Sequence, residues 1–150
     1  MVMPDLTFRA MQPSDAPAVA ELARQADPFS WTVKDFLTAA KAGNIVTLGF
    51  TGDVLVGFYV LRLVLDESEL MDIAVAPAHQ SRGFGRVLLT DALKTAKLSG
   101  ARLMHLEVRI GNVRAKALYE SFGFKSDAVR RKYYRTATGR EDAVLMTLGF

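Results

Sequence analysis

The chain has no cysteine in 150 residues. Disulfides, a thiolate-ligated metal and a cysteine nucleophile are therefore excluded. Long hydrophobic runs are missing as well. Half of the residues are hydrophobic, yet no apolar stretch approaches the roughly 18 residues of a membrane span, which points to a soluble globular protein with no membrane partner. The opening segment MVMPDLTFRAM lacks a basic start followed by an apolar stretch, so no secretory signal is expected and a cytoplasmic location is the default. Charge of one sign is also scarce. Lys and Arg number 19 against 16 Asp and Glu, a net charge of +3 that mildly favours anionic partners, of which nucleic acid is one and a phosphate compound another. Repeats, low-complexity tracts and long linkers are absent, and this length suffices to bury a core without staples, so residues 1–150 are expected to form a single domain.

What is present reads as alternating strands and helices. LTFRAM (6–11) resembles a first strand, and Pro13-Ser14-Asp15 offers a helix start before Ala16 to Ala26, where Val19, Leu22 and Ala23 recur at helical spacing. A second helix is expected from Trp31 to Ala40, closed by Gly43-Asn44. The β-rich runs Ile45 to Phe50 and Val54 to Leu65, joined by Thr51-Gly52-Asp53, read as a hairpin. Leu70 to Val75 is a further strand that stops before Pro77, which cannot donate to a sheet ladder. A helix follows from about Gly83 to Ser99 with Gly100 as its cap, then a strand from Arg102 to Arg109. Asn112 caps a short helix over Val113 to Ser121. Strands at about 124–134 and 143–148 flank a turn at Thr138-Gly139. This order, β, αα, βββ, α, β, α, ββ, predicts an α/β (α+β) fold with a mixed sheet of about seven strands covered by about four helices.

The stretch APAHQSRGFGRVLL, residues 76–89, lies at the junction of a strand and a long helix. A strand that ends in a Gly-rich turn and opens a helix aims backbone N–H groups and the positive end of the helix dipole at one spot, which favours an anion. Gly83 and Gly85 carry no side chain to hold a phosphate away, and Arg82 and Arg86 supply charge at the rim. An ordinary turn with solvated arginines has the same composition. Other phosphate motifs fit badly. The Gly-Lys-Ser or Gly-Lys-Thr of a P-loop is missing, and Leu88 stands where a dinucleotide fingerprint has its third glycine.

Gln80-Ser81-Arg82-Gly83-Phe84-Gly85, preceded by the strand Ile73-Ala74-Val75, resembles the cofactor loop of the GNAT acyl-CoA N-acyltransferases. The resemblance extends over nearly the whole chain. LEVRIGN (106–112), ALYESFGF (117–124), RRKYY (130–134) and GREDAVLM (139–146) look, in order and spacing, like the bacterial RimI type within that family, the ribosomal-protein-alanine N-acetyltransferases. The resemblance implies the GNAT fold, with a largely antiparallel sheet, and acetyl-CoA as co-substrate without a metal. It also implies that the loop of Ser81, Arg82, Gly83, Phe84, Gly85 and Arg86 holds the pyrophosphate, that Ile73, Ala74 and Val75 pair with the pantetheine arm through their main chain, and that Asn112 contacts the cofactor. By the same resemblance a backbone N–H near Val75 is expected to stabilise the carbonyl oxygen as charge develops on it.

The chemistry asks for two proton transfers, because the attacking amine must be neutral and the departing thiolate benefits from a proton donor. In LMHLEVR, Met104, Leu106 and Val108 alternate with Leu103, His105 and Glu107, giving one apolar and one polar face. Glu107 is the candidate base, expected to be partly desolvated with its pKa raised if helices cover both faces. Position alone favours a solvent-facing strand glutamate, and the likeness at LEVR selects the base. Tyr119 is the candidate acid. In its helix Leu118 and Phe122 are expected to face the core with Tyr119 beside them, a place that also suits a core tyrosine with a wet hydroxyl. His105 is expected to support the site without reacting. With no thiol to carry an acyl group, direct transfer in a ternary complex is expected.

The likeness implies a protein N-terminus as acceptor, the N-terminal alanine of a small-subunit ribosomal protein. An α-amino group, with a reference pKa of about 7.7–8.0 against about 10.4 for lysine, suits a modest carboxylate base better. Acetylation of a lysine or a small amine, or a non-catalytic acyl-CoA-binding role, are the alternatives. Trp31, in Asp-Pro-Phe-Ser-Trp, stands where the RimI type has His-x-Phe-Pro-Trp, and Tyr133, Tyr134 and the loop to Asp142 are candidates to line the peptide slot. Arg130, Arg131, Lys132 and Arg135 form a basic cluster. Most such runs are solvated, and no stable nucleic-acid binding is expected. The oligomeric state is not legible in the sequence.

Overall fold

The computed structural model describes residues 5–150; residues 1–4, the start of the segment read above for a secretory signal, lie outside the described residues. The chain runs β1 (Thr7–Ala10), α1 (Ala16–Ala26), α2 (Val33–Lys41), β2 (Ile45–Thr51), β3 (Val54–Val64), β4 (Glu67–Val75), α3 (Phe84–Leu98), β5 (Leu103–Arg109), α4 (Val113–Ser121), β6 (Lys125–Thr136) and β7 (Gly139–Gly149). The seven strands form one sheet in the order β1-β2-β3-β4-β5-β7-β6. Every neighbouring pair is antiparallel except β4 and β5. A parallel step needs a crossover, and α3 supplies it.

The two faces of the sheet are covered by different helices. Val19, Leu22 and Ala23 of α1 and Phe36 of α2 bury against Leu48, Phe58 and Val60. Leu88, Leu89, Ala92, Leu93 and Ala96 of α3 bury against Tyr59, Leu61, Met104 and Leu106 on the other side. That double cover explains why β3, VLVGFYVLRLV, is apolar at successive positions: Val56, Phe58, Tyr59, Val60 and Leu61 are all buried. Tyr59 is tolerated because its hydroxyl donates to Asp91 at 2.6 Å and meets Thr95 Oγ1 at 3.1 Å.

α2 starts two residues later than the sequence pattern predicts. Thr32 Oγ1 accepts the Asp35 amide at 3.2 Å and Asp35 Oδ2 accepts the Thr32 amide at 2.9 Å, a reciprocal cap that fixes the first turn at Val33. Trp31 therefore belongs to the α1–α2 connection, packed at 5.3 Å against Phe36. β4 is longer than expected and begins at Glu67, which makes β3 and β4 a hairpin.

β4 and β5 pair only at Ser68↔Met104, Glu69↔His105 and Leu70↔Leu106. Beyond that point β4 stays with β3 as far as Val75↔Gly57, and β5 stays with β7 as far as Arg109↔Ala143. The sheet therefore splits, with Met71–Val75 on one bank and Glu107–Arg109 on the other. At the start of the split β4 carries a bulge: Leu61 pairs with Leu70 and Val60 with Asp72, so Met71 has no partner on β3. Bulges re-aim the side chains that follow them and are common beside active sites.

Candidate active site

The split opens into a cavity of about 590 Å³. It is lined by Trp31 from the α1–α2 connection, by Ile73, Ala74 and Val75 of β4, by Ser81, Gly83, Phe84, Gly85 and Arg86 of the loop and α3, by Glu107, by Asn112 and Tyr119 of the α4 segment, and by Tyr134 of β6. Chain segments far apart in sequence thus bring most of the expected residues to one place. Arg82, Tyr133 and Asp142 are not among the lining residues. Among the described residues, the two buried side-chain polar atoms without a hydrogen-bond partner, Ser30 Oγ and His79 Nδ1, belong to residues of this same wall. Unpaired buried polar atoms are rare in folded proteins.

The loop owes its shape to its backbone. Gly83 is the residue before α3 and has φ +87°, a left-handed conformation that glycine adopts without strain. Ser81 is also left-handed, at φ +66°. No side chain caps α3, so the amides of its first turn are left for a ligand. Gln80 Nε2 donates to Val75 O at 3.1 Å and ties the loop to the end of β4. Ser81 Oγ accepts from Arg114 of α4. Arg86 turns from the loop to donate to Ser121 Oγ at 3.0 Å, with its guanidinium 5.0 Å from the Phe122 ring centroid. Phe84 is largely buried, edge-on to His79 at 6.0 Å. Asn112 caps α4, its side chain accepting the Ala115 amide at 3.1 Å.

The alternation expected of β5 is present, with Met104, Leu106 and Val108 buried. Glu107 looks into the split, but a cation rather than an apolar wall meets it: Arg130 of β6 donates to its carboxylate at 2.7 Å. His105 lies apart from the cavity, between Glu67 at 2.8 Å and Thr147 at 2.9 Å. In α4 the expected order is reversed. Tyr119 is the buried residue, edge-on to Phe124 at 5.8 Å, while Leu118 and Phe122 are only partly buried. Burial, then the charge of Asp72 and the neighbouring Tyr134, push the Tyr119 hydroxyl above its ordinary pKa, so it keeps its proton. Among the described residues its hydroxyl has no hydrogen-bond partner, unlike that of Tyr59.

The pattern of the acetyltransferase (GNAT) family matches residues 11–124. This chain is a GNAT acetyltransferase. Acetyl-CoA is its co-substrate. The ribosomal protein bS18-alanine N-acetyltransferase of Salmonella typhimurium is 38% identical over 143 residues, covering 95% of this chain and 96% of the relative. The Escherichia coli enzyme of the same name is 36% identical over 142 residues, with 95% and 96% covered. The crystal structure of the ribosomal-protein-S18-alanine N-acetyltransferase from Escherichia coli superposes with a TM-score of 0.90 at 35% identity, covering 97% of this chain and 94% of that one. Among the described residues no His, Asp and Glu cluster of three or more could hold a metal, and no helix is long and apolar enough to cross a membrane.

On this GNAT framework several cavity residues escaped the sequence reading. Arg109 donates to Asp27 at 2.9 Å, to the Arg135 carbonyl at 2.7 Å and to Glu141 at 3.2 Å, with its guanidinium 4.5 Å from the Tyr134 ring centroid. It thereby ties the end of α1 to the β6–β7 hairpin. Only a planar fork reaches so many acceptors at once. Arg109→Lys is expected to lower unfolding stability by about 2 kcal/mol in a urea titration, because charged hydrogen bonds of the fork go unmade. A loss below about 0.5 kcal/mol would show that these bonds add nothing to holding the walls together.

The residues that stay out of the cavity are engaged elsewhere. β6 bulges between Arg130 and Tyr134, Lys132 is left-handed at φ +53°, and the Lys132 amide donates to Asp142 Oδ1 at 2.8 Å. Asp142 is thus occupied in pinning that bulge. Tyr133 is turned outward, with the Arg130 guanidinium 3.9 Å from its ring centroid and Tyr134 edge-on at 4.9 Å. Arg82 is exposed beside the loop.

Proposed function

We propose that this chain transfers the acetyl group of acetyl-CoA to the N-terminal α-amine of a protein, the N-terminal alanine of a small-subunit ribosomal protein, in the cytoplasm where ribosomes are made. The observation that carries the acceptor is the end-to-end likeness to the two enterobacterial enzymes of that name. Residues 1–150 act in this reading as one acetyltransferase domain, a view supported by the single sheet that joins both banks of the cavity.

The amides at the start of α3, with the Gly83–Gly85 turn, hold the pyrophosphate. The edge of Ile73, Ala74 and Val75 turned away from β3 has no partner strand and faces the pantetheine arm; the Ile73 amide there donates to Asp72 and the Val75 carbonyl accepts from Gln80, which leaves the Ile73 carbonyl and the Val75 amide for the cofactor. Unpaired backbone groups in a protein interior are costly unless a ligand meets them, and this supports the fit of the cofactor. Glu107, across the split, takes a proton from the acceptor ammonium. The neutral amine attacks the thioester carbonyl, the bond to sulfur breaks, Tyr119 delivers its proton to the departing thiolate, and the second proton shed by the new amide nitrogen returns to the Tyr119 oxygen. The high proton affinity of the Tyr119 hydroxyl suits a donor that is intact at neutral pH. Trp31 and Tyr134 stand on the acceptor side, and Asn112 beside the loop end.

The test is CoA release from acetyl-CoA with two peptides, the unblocked N-terminal segment of the ribosomal protein and the same segment with its α-amine capped. Turnover of the free amine alone is the expected result. Equal turnover of both peptides would move the reaction to a lysine side chain, and turnover of neither would remove the ribosomal acceptor.

A further inference from the structure

Of the three carboxyl groups that line the cavity, Glu107 serves the catalytic scheme above and Asp27 is held by Arg109, which leaves Asp72. It follows the unpaired Met71 of the β4 bulge and stands two residues past the last β4–β5 pair, at the apex of the split. It lines the same cavity as Glu107, Tyr119 and Tyr134. The only hydrogen bond to its carboxyl group among the described residues comes from the Ile73 amide, at 2.9 Å. The other carboxylates around it are served by arginines: Asp27 and Glu141 by Arg109, and Glu107 by Arg130. No Lys, Arg or His among the described residues forms an ion pair with Asp72.

A desolvated carboxylate with no cation is a costly arrangement, and proteins keep such groups where a ligand completes them. The ligand that fits is a cation small enough to enter the apex of the split. An acceptor amine arrives as an ammonium ion at neutral pH, with a reference pKa of about 7.7–8.0 for an α-amine. We propose that Asp72 is the receptor for the acceptor ammonium, pairing with it as the peptide seats, before the proton passes to Glu107 on the opposite bank. This inference rests on the α-amine reading above.

The surroundings tune the pair. Burial first, and then the negative Asp27 on the α1–α2 connection, push the Asp72 carboxyl up to about 7, against the opposing pull of the Ile73 amide. The groups facing it from the neighbouring elements are Asp27, Tyr119 of α4 and Tyr134 of β6, none of them cationic. The sign follows directly. The folded protein keeps this proton up to about pH 7, whereas the unfolded chain releases it near 3.9, so stability falls as pH rises through that window. A bound ammonium reverses the effect by favouring the anion.

The experiment measures initial rates of peptide acetylation by the parent, Asp72→Asn and Glu107→Gln at about pH 7.5, where both the carboxylate and the ammonium are charged to a useful degree. Asp72→Asn is expected to raise the peptide KM about tenfold or more, while kcat and the acetyl-CoA KM stay within about threefold of the parent. Glu107→Gln is expected to show the opposite split, with kcat lost and peptide KM kept. The acid limb of the parent's kcat/KM profile, near pH 7, is expected to move in Asp72→Asn. A peptide KM unchanged in Asp72→Asn overturns the role of Asp72 alone. Failure of the parent to turn over the free-amine peptide overturns the α-amine reading and this inference with it. The unmutated protein gives a second measurement that does not depend on how the variant folds. With CoA bound, the carboxyl carbon resonance of Asp72 is expected to titrate at least about one unit lower once the unreactive pair of CoA and peptide is complete. A midpoint that the peptide does not move overturns the proposal.

Discussion

Glu107→Gln is expected to lower kcat/KM for the free-amine peptide by about 10²–10⁴, the range that a positioned general base contributes. The replacement keeps the shape of the side chain and removes its capacity to accept a proton at neutral pH. It also ends the ion pair with Arg130, but the Arg130 side chain is 50% exposed, and a pair of that kind contributes only about 0–1 kcal/mol to stability. Folding and catalysis therefore separate in this variant. The unfolding midpoint should stay close to the parent's while turnover collapses, and acetyl-CoA affinity should be kept because Glu107 stands on the bank away from the loop. Rates by CoA release and unfolding by circular dichroism check the two halves. A kcat/KM within about threefold of the parent would remove Glu107 from the chemistry.

Gly57→Ala is expected to act through the framework. Gly57 lies opposite Val75, where β3 holds the stretch of β4 proposed to face the cofactor, and Leu88 of α3 lies against it. A methyl group added there would stand 2.5 Å from the Ala74 carbonyl oxygen and 2.7 Å from Leu88 Cδ1. The first is backbone and cannot swing away, so strand or helix must move. Overpacking of this severity costs about 3 kcal/mol. Because the displaced atoms belong to Ala74 and to the helix that begins at the turn proposed to hold the pyrophosphate, acetyl-CoA affinity should fall along with stability. Urea unfolding and cofactor titration give the two numbers. A stability loss under about 1 kcal/mol would mean that the close approach of α3 relaxes freely.

What the sequence made legible in this site is what depends on local chemistry. The shape of the loop could be read because it rests on backbone, and the glycines that free that backbone sit at fixed places after a strand. The face that Glu107 takes could be read because period-two alternation assigns faces without knowledge of neighbours, whereas its candidacy as base came from the likeness at LEVR. The start of α2 was misjudged although Thr32 and Asp35 stand at the spacing of a reciprocal cap, because the signature usually carries a longer acid. Tyr119 was misplaced by one step around a nine-residue helix, too short for its periodicity to fix the buried direction. The rest of the site is tertiary. Arg109 reaches Asp27 across 82 residues and Glu141 across 32, separations that no local pattern spans. The bulge at Met71, and so the setting of Asp72, arises from how β3 and β4 slide into register, and Met71 itself carries no mark of it.

The three residue pairs that join β4 to β5 also divide the molecule mechanically. On one side lie four consecutive antiparallel strands, and on the other β5, β7 and β6. Cooperative opening tends to follow such lines of sparse bonding. A ligand seated in the split touches both parts, and anything that binds only the closed arrangement stabilises it by mass action. In the proposed reading acetyl-CoA acts as a rivet as well as a donor: seated in the split, it stands in for the ladder that β4 and β5 do not complete, so the two parts are held most firmly together in the interval when an acetyl group is ready to be given away.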